Sequence, residues 1–157
     1  MMSPAKAAGA ARRIESQALV TVVPCGPNRG LAGIQLATAA GSASGEYFLP
    51  YTVSTDACAR EYAYAGLTVA IDRLRALKIE RALIVVDDEE LVDELERRVD
   101  PPRELSLQYI ILGCKLNEFR RAKVVAAKSS HLEQLRAKTE NLAATIYNAP
   151  LPLAHAM

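Results

Sequence analysis

The stretch ALVTVVPCGPNRGLAGIQLATAAGSASGEYFLPYTV, Ala18 to Val53, decides the fold. It reads as three β segments in immediate succession. ALVTVV is rich in β-branched residues, GIQLATAAG follows the tight turn in PCGPNRG, and GEYFLPYTV follows Gly41-Ser-Ala-Ser-Gly45. Connections this short join antiparallel neighbours, because parallel strands need a long crossover. Pro50 removes a ladder donor and places the third segment at a sheet edge. From Val20 to Ala37 the chain carries neither Asp nor Glu.

Downstream the period changes. Thr55 or Asp56 is placed to cap a helix whose apolar stripe runs through Ala63, Leu67, Ala70, Ile71, Leu74 and Leu77. Lys78 falls in its last turn, where a cation suits the dipole. RALIVVDD then holds a continuous apolar run, as expected of a strand covered on both faces. Reached through a helix, it lies parallel to the first strand. ELVDELERRV is a short acidic helix stopped before Pro101-Pro102. SLQYIILGCKLNEF reads as a helix, although QYIIL alone has strand character. AKVVAAK is a fifth strand, and HLEQLRAKTENLAATIY is a last helix with Leu132, Leu135, Leu142 and Ile146 on its apolar side. The order βββαβααβα gives an α/β domain: a five-stranded mixed sheet, three antiparallel strands then two parallel, flanked by helices. The expected division is a tail over 1–17, one domain over 18–147 and a second tail over 148–157.

A chain of 157 residues with 50% hydrophobic and 24% charged residues is one globular domain. A net charge of +1 excludes a histone-like polycation, so any nucleic-acid contact must come from a local patch. The charge is segregated. Acids crowd residues 87–100, while Lys115, Arg120, Arg121, Lys123, Lys128, Arg136 and Lys138 dominate residues 115–138. Cys25, Cys58 and Cys114 lack CxxC spacing and point to a reducing compartment, not to a disulfide frame or a zinc site. No apolar run is long enough to span a membrane, and the first residues lack a signal-peptide h-region. A cytoplasmic location is expected.

Element order and four local strings together resemble the ribonuclease H fold, in particular its bacterial and reverse-transcriptase-like branch, over Ala18 to Tyr147. That family opens its first helix with a catalytic Glu in an AEY context, and AREYAYAGL places Glu61 there. Its fourth strand ends in an Asp within a DSxxLV string, and VVDDEELV places Asp88 there. Its last helix carries an acid two residues before Leu-Ala, and TENLA places Glu140 there. Its first strand ends in Asp-Gly, which Cys25-Gly26 matches, and GLAGI matches the turn that follows. The Asn28-Arg29-Gly30 turn is also similar to resolvase-like and actin-like relatives of this topology, which likewise want an Asp where Cys25 stands.

The resemblance implies metal-dependent cleavage of the RNA strand in RNA–DNA hybrids, with Glu61, Asp88 and Glu140 holding Mg²⁺ or Mn²⁺. Two-metal hydrolysis needs carboxylates from separate elements, since these hard ions take oxygen ligands. Cys25 offers a soft sulfur, mostly protonated at neutral pH. The resemblance also allows His131, in the loop before the last helix, to assist proton transfer. Lys123, Lys128, Arg136 and Lys138 are candidates for phosphate contacts.

Each residue has a plainer reading. Glu61 suits a helix N-terminus, Asp88 could cap the next helix, and Glu140 could pair with Arg136 one turn earlier. Ser129 or Ser130 could cap the last helix, with His131 a polar neighbour. Asp87, by strand alternation, points to the face opposite Asp88. Tyr62 and Tyr64 could stack on bases or fill gaps between helix and sheet, and Cys25 could be an apolar filler. The expected function is a ribonuclease H-like nucleic-acid-binding domain with weakened or lost cleavage. The alternatives are an active ribonuclease with an atypical metal site and a non-catalytic module for a protein partner.

Overall fold

A computed structural model describes residues 16–38 and 43–147. The expected tails, apart from Ser16 and Gln17, and the Gly41-Ser42 part of the second connection lie outside the described residues. Three strands come first: β1 (Ser16–Pro24), β2 (Arg29–Ala37) and β3 (Gly45–Thr52). They are followed by α1 (Ala59–Ala76), β4 (Arg81–Val86), α2 (Glu89–Leu95), a 3-10 turn (Arg103–Leu105), α3 (Ser106–Leu116), β5 (Arg121–Ala126) and α4 (Ser130–Tyr147). β1 starts two residues before the expected domain start at Ala18.

The sheet order is β3-β2-β1-β4-β5. β1 pairs antiparallel with β2, and β2 with β3, while β4 runs parallel to β1 and β5 parallel to β4. Pro50 sits on the edge strand, where its missing donor costs no ladder bond. The β1–β2 turn is tight because Gly26 and Asn28 take positive φ of 94° and 55°, which these residue types tolerate. The Cys25 amide closes it on the Arg29 carbonyl at 2.8 Å.

Strand alternation builds a layer on each face. Ala18, Val20, Ala82, Ile84 and Val86 join the core beneath α1, with Tyr64, Leu67, Ile71 and Leu74 buried from the helix side. Leu19, Leu83 and Val85 face the other way, against Leu132 and Leu135 of α4. Val23 and Leu31 continue that second layer with Ala143. One helix cap differs from expectation and one agrees with it. α1 begins after Cys58, which makes no side-chain cap, so neither Thr55 nor Asp56 caps it. At α4 the Ser129 hydroxyl accepts from the Leu132 amide at 3.1 Å, which leaves His131 exposed in the first turn.

Candidate functional site

The carboxyl ends of β1 and β4 converge on a cleft of about 750 Å³ beside the first turns of α1 and α2. Open parallel sheets offer ligand space at this end because the connecting helices diverge there. Val20, Val22 and Val86 give it an apolar floor, and Asp87, Asp88, Lys128 and Arg136 stand at its rim.

The two adjacent aspartates go to opposite faces, as strand periodicity requires. Asp87 continues the Leu83–Val85 row onto the α4 side. There the buried Thr21 hydroxyl donates to its Oδ2 at 3.0 Å, and the Arg136 Nη1 donates to the same oxygen at 3.1 Å. The same Nη1 also donates to Thr21 Oγ1 at 2.9 Å, closing a triangle. Arg136 Nε lies 3.6 Å from Glu140 Oε2, one helical turn further along α4. A guanidinium therefore holds both carboxylates on this face.

Asp88 follows the other row. Its Oδ1 accepts from the Leu91 amide at 2.9 Å as the N-cap of α2, and Arg60 approaches it at 3.6 Å. Arg60 also reaches Glu90 at 3.7 Å and forms a close ion pair with Glu94. Glu94 is 3% exposed, and the buried Tyr64 hydroxyl donates to it at 2.6 Å. Burial and this bonded carboxylate both push the Tyr64 phenol well above its ordinary pKa. Arg60, absent from the sequence-level candidates, is thus the cation that organises the α1 side. Five carboxylates within one short helix and its cap, Asp88, Glu89, Glu90, Asp93 and Glu94, were the available signal.

Glu61 makes no side-chain bond to either cluster among the described residues and instead accepts from the Ser54 hydroxyl at 3.0 Å. The expected set of Glu61, Asp88 and Glu140 is consequently not brought together. Glu61 and Asp88 have local partners on the α1 side, and Glu140 belongs to the α4 side. His131 makes no hydrogen bond or ion pair with any of them among the described residues. Cys25 lies beyond the end of β1, where its thiol donates to the Val23 carbonyl at 3.1 Å. Burial pushes that thiol above its usual pKa, partly offset by a hydrogen bond with the Leu31 backbone. It packs with Val23, Leu31, Ala143 and Tyr147, so the residue facing Asp87 from β1 is Thr21.

Of the four basic candidates, Arg136 is committed to Asp87 and Glu140, and Lys138 pairs with Glu46 at 2.8 Å. Lys123 on β5 and Lys128 at the cleft rim are exposed and have no partner among the described residues.

These donors do not fit a two-metal site. Among the described residues no group of three or more His, Cys, Asp or Glu side chains is placed to hold a metal ion. On the α4 face the two carboxylates already have a protein cation between them, and the third contributor, Thr21, is a neutral hydroxyl. A further metal ion there would have to displace Arg136.

By sequence, no protein-family model and no curated protein matches the chain. By structure it is similar to the ribonuclease H1 of the halophilic archaeon Halobacterium salinarum, with a TM-score of 0.65 at 16% identity over 82% of this chain and 98% of that one. It is similar to a compost-derived ribonuclease H1 solved in complex with an RNA/DNA hybrid, with a TM-score of 0.62 at 12% identity over 78% and 92%. A foamy viral protease–reverse transcriptase in complex with double-stranded DNA gives a TM-score of 0.60 at 16% identity over 86% and 95%. Identities this low speak for architecture alone: with the sheet order β3-β2-β1-β4-β5, this chain has the ribonuclease H fold.

Proposed function

We propose that this domain binds nucleic acid through its strand-end cleft without hydrolysing it. One observation carries the reading: the Arg136 guanidinium sits between Asp87 and Glu140 and bonds Thr21, where cleavage would need metal-held carboxylates. Arg136 is already shared between two carboxylates and activates no water, so the charge that meets a nucleic-acid backbone comes from Lys128 at the cleft rim and Lys123 on the edge strand β5. The hybrid and DNA complexes of the structural neighbours make an RNA–DNA hybrid the first ligand to try.

In the DSxxLV string the acid stands four residues before the Leu, and four before Leu91 is Asp87, not Asp88. Asp87 is also the one with a partner on β1. The vacated first position is then Thr21 in the fold, although Cys25-Gly26 carries the match in the string.

Binding of a labelled hybrid, followed across salt concentrations, tests the proposal. Affinity is expected to fall with salt, and Lys128→Glu to weaken binding and flatten that dependence. Binding indifferent to salt, or unchanged by Lys128→Glu, would overturn it.

A further inference from the structure

α3 forms an outer layer on α1. Its inner side buries Leu112, beside Leu105 of the preceding turn, packs Tyr109 and Leu116 on the core, and ties Lys115 to Asp72 at 2.8 Å. The opposite side of the same helix is also apolar. Leu107, Ile110 and Ile111 are 65%, 57% and 41% exposed, and Cys114 beside them is exposed. Single exposed hydrophobics are ordinary, but spacings of three, one and three along α3 make one continuous stripe.

The stripe ends in charges of opposite sign. Arg103, in the 3-10 turn, lies four residues before Leu107, and Glu118, in the turn just past the end of α3, lies four residues after Cys114, so the two flank the stripe at equal sequence distance. Each is exposed and neither side chain makes a hydrogen bond or ion pair among the described residues, Glu118 feeling only the field of Lys115 one turn back.

We propose that this face is the contact of a homodimer in which two α3 helices pack antiparallel about a two-fold axis between Ile110 and Ile111. A two-fold contact must be self-complementary, and this one is in register throughout. Ile110 meets Ile111 of the second copy, Leu107 meets Cys114, and Arg103 meets Glu118, each pair equidistant from the axis. A parallel pairing would instead set Arg103 against Arg103 and Glu118 against Glu118, which like-charge repulsion disfavours. A helix of 11 residues and its flanks make a small contact, so association in the micromolar range is expected. The inference is independent of the cleft, which lies at the ends of β1 and β4.

Sedimentation equilibrium and disulfide trapping test both the dimer and its register. The unmodified chain is expected to be a concentration-dependent dimer, and Ile110→Asp to weaken association at least about tenfold. Arg103→Glu should weaken it too, and adding Glu118→Arg should restore it, which separates lost contact from lost folding. In a Cys25→Ser, Cys58→Ser background, Leu107→Cys should crosslink with Cys114 of the second copy under mild oxidation. Cys114 alone should not, because the two Cys114 residues then stand roughly 10 Å apart along the helices, beyond disulfide reach. A monomer at millimolar concentration, unrestored charge reversal, or efficient Cys114–Cys114 crosslinking would overturn the proposal.

Discussion

Arg136 and Asp87, 49 residues apart in sequence, meet at 3.1 Å over the end of β4, and the same guanidinium nitrogen holds Thr21 of β1. The contact fastens α4 to the two central strands where the cleft opens. The two side chains are 40% and 28% exposed, so solvent screening limits its strength. Arg136→Met is expected to cost only about 0.5–1 kcal/mol. Urea denaturation would read this directly, and a loss of several kcal/mol would mean that the pair holds the fold together.

Arg60 and Glu94 present the opposite case. Glu94 is buried, paired with Arg60 and bonded by Tyr64, so its charge is compensated only in that arrangement. Glu94→Ala leaves Arg60 with the more distant Asp88 and Glu90, at an expected cost of about 2–4 kcal/mol. Arg60→Met in the same chain should return part of that loss in a double-mutant cycle. Strict additivity of the two substitutions would show that they do not interact.

Gly33 on β2 lies under Thr139, which is fully buried on α4 and donates to the Leu135 carbonyl at 2.7 Å. A Cβ at Gly33 would collide with the Thr139 hydroxyl, so helix and strand approach this closely only because the position is glycine. Gly33→Ala is expected to destabilise by about 1–3 kcal/mol, with partial rescue by Thr139→Ala. Thermal melts of the single and double variants decide it; a silent Gly33→Ala would show that α4 rides freely over the sheet.

The element order was legible because it rests on local periodicity. ALVTVV and RALIVV are too β-branched for anything but strands, and Pro50 marked the edge. The Asp88 cap of α2 and the Arg136–Glu140 pair were also readable from spacing. Alternation correctly sent Asp87 and Asp88 to opposite faces. Which of the two meets β1 was not legible, since that depends on Thr21 and Arg136 arriving from remote segments. The cap of α1 failed for a similar reason: Thr55 and Asp56 are suitable residues, but the backbone turns into the helix only after Cys58.

Tyr51 and Tyr64 set the alkaline limit. The Tyr51 hydroxyl donates to the Tyr62 carbonyl at 2.9 Å, and burial pushes both phenols well above the ordinary tyrosine value. The folded state therefore keeps these protons longer than the unfolded chain does. Their contribution is complete below the unfolded pKa of about 10 and is lost as pH rises through the higher folded values. Urea midpoints should fall above about pH 10, and less steeply in Tyr51→Phe. A Tyr51→Phe profile parallel to that of the unmodified protein would show that this phenol does not titrate with unfolding.

Incubation of an end-labelled RNA–DNA hybrid with the protein, in Mg²⁺ and separately in Mn²⁺, tests most directly whether the cleft binds without cutting. One native gel reads the bound species and one denaturing gel reads the strands, with Asp87→Asn alongside. The expected result is a shifted hybrid whose RNA strand stays intact in both metals. Metal-dependent fragments that disappear in Asp87→Asn would contradict it, and would mean that a metal displaces Arg136 from its carboxylates.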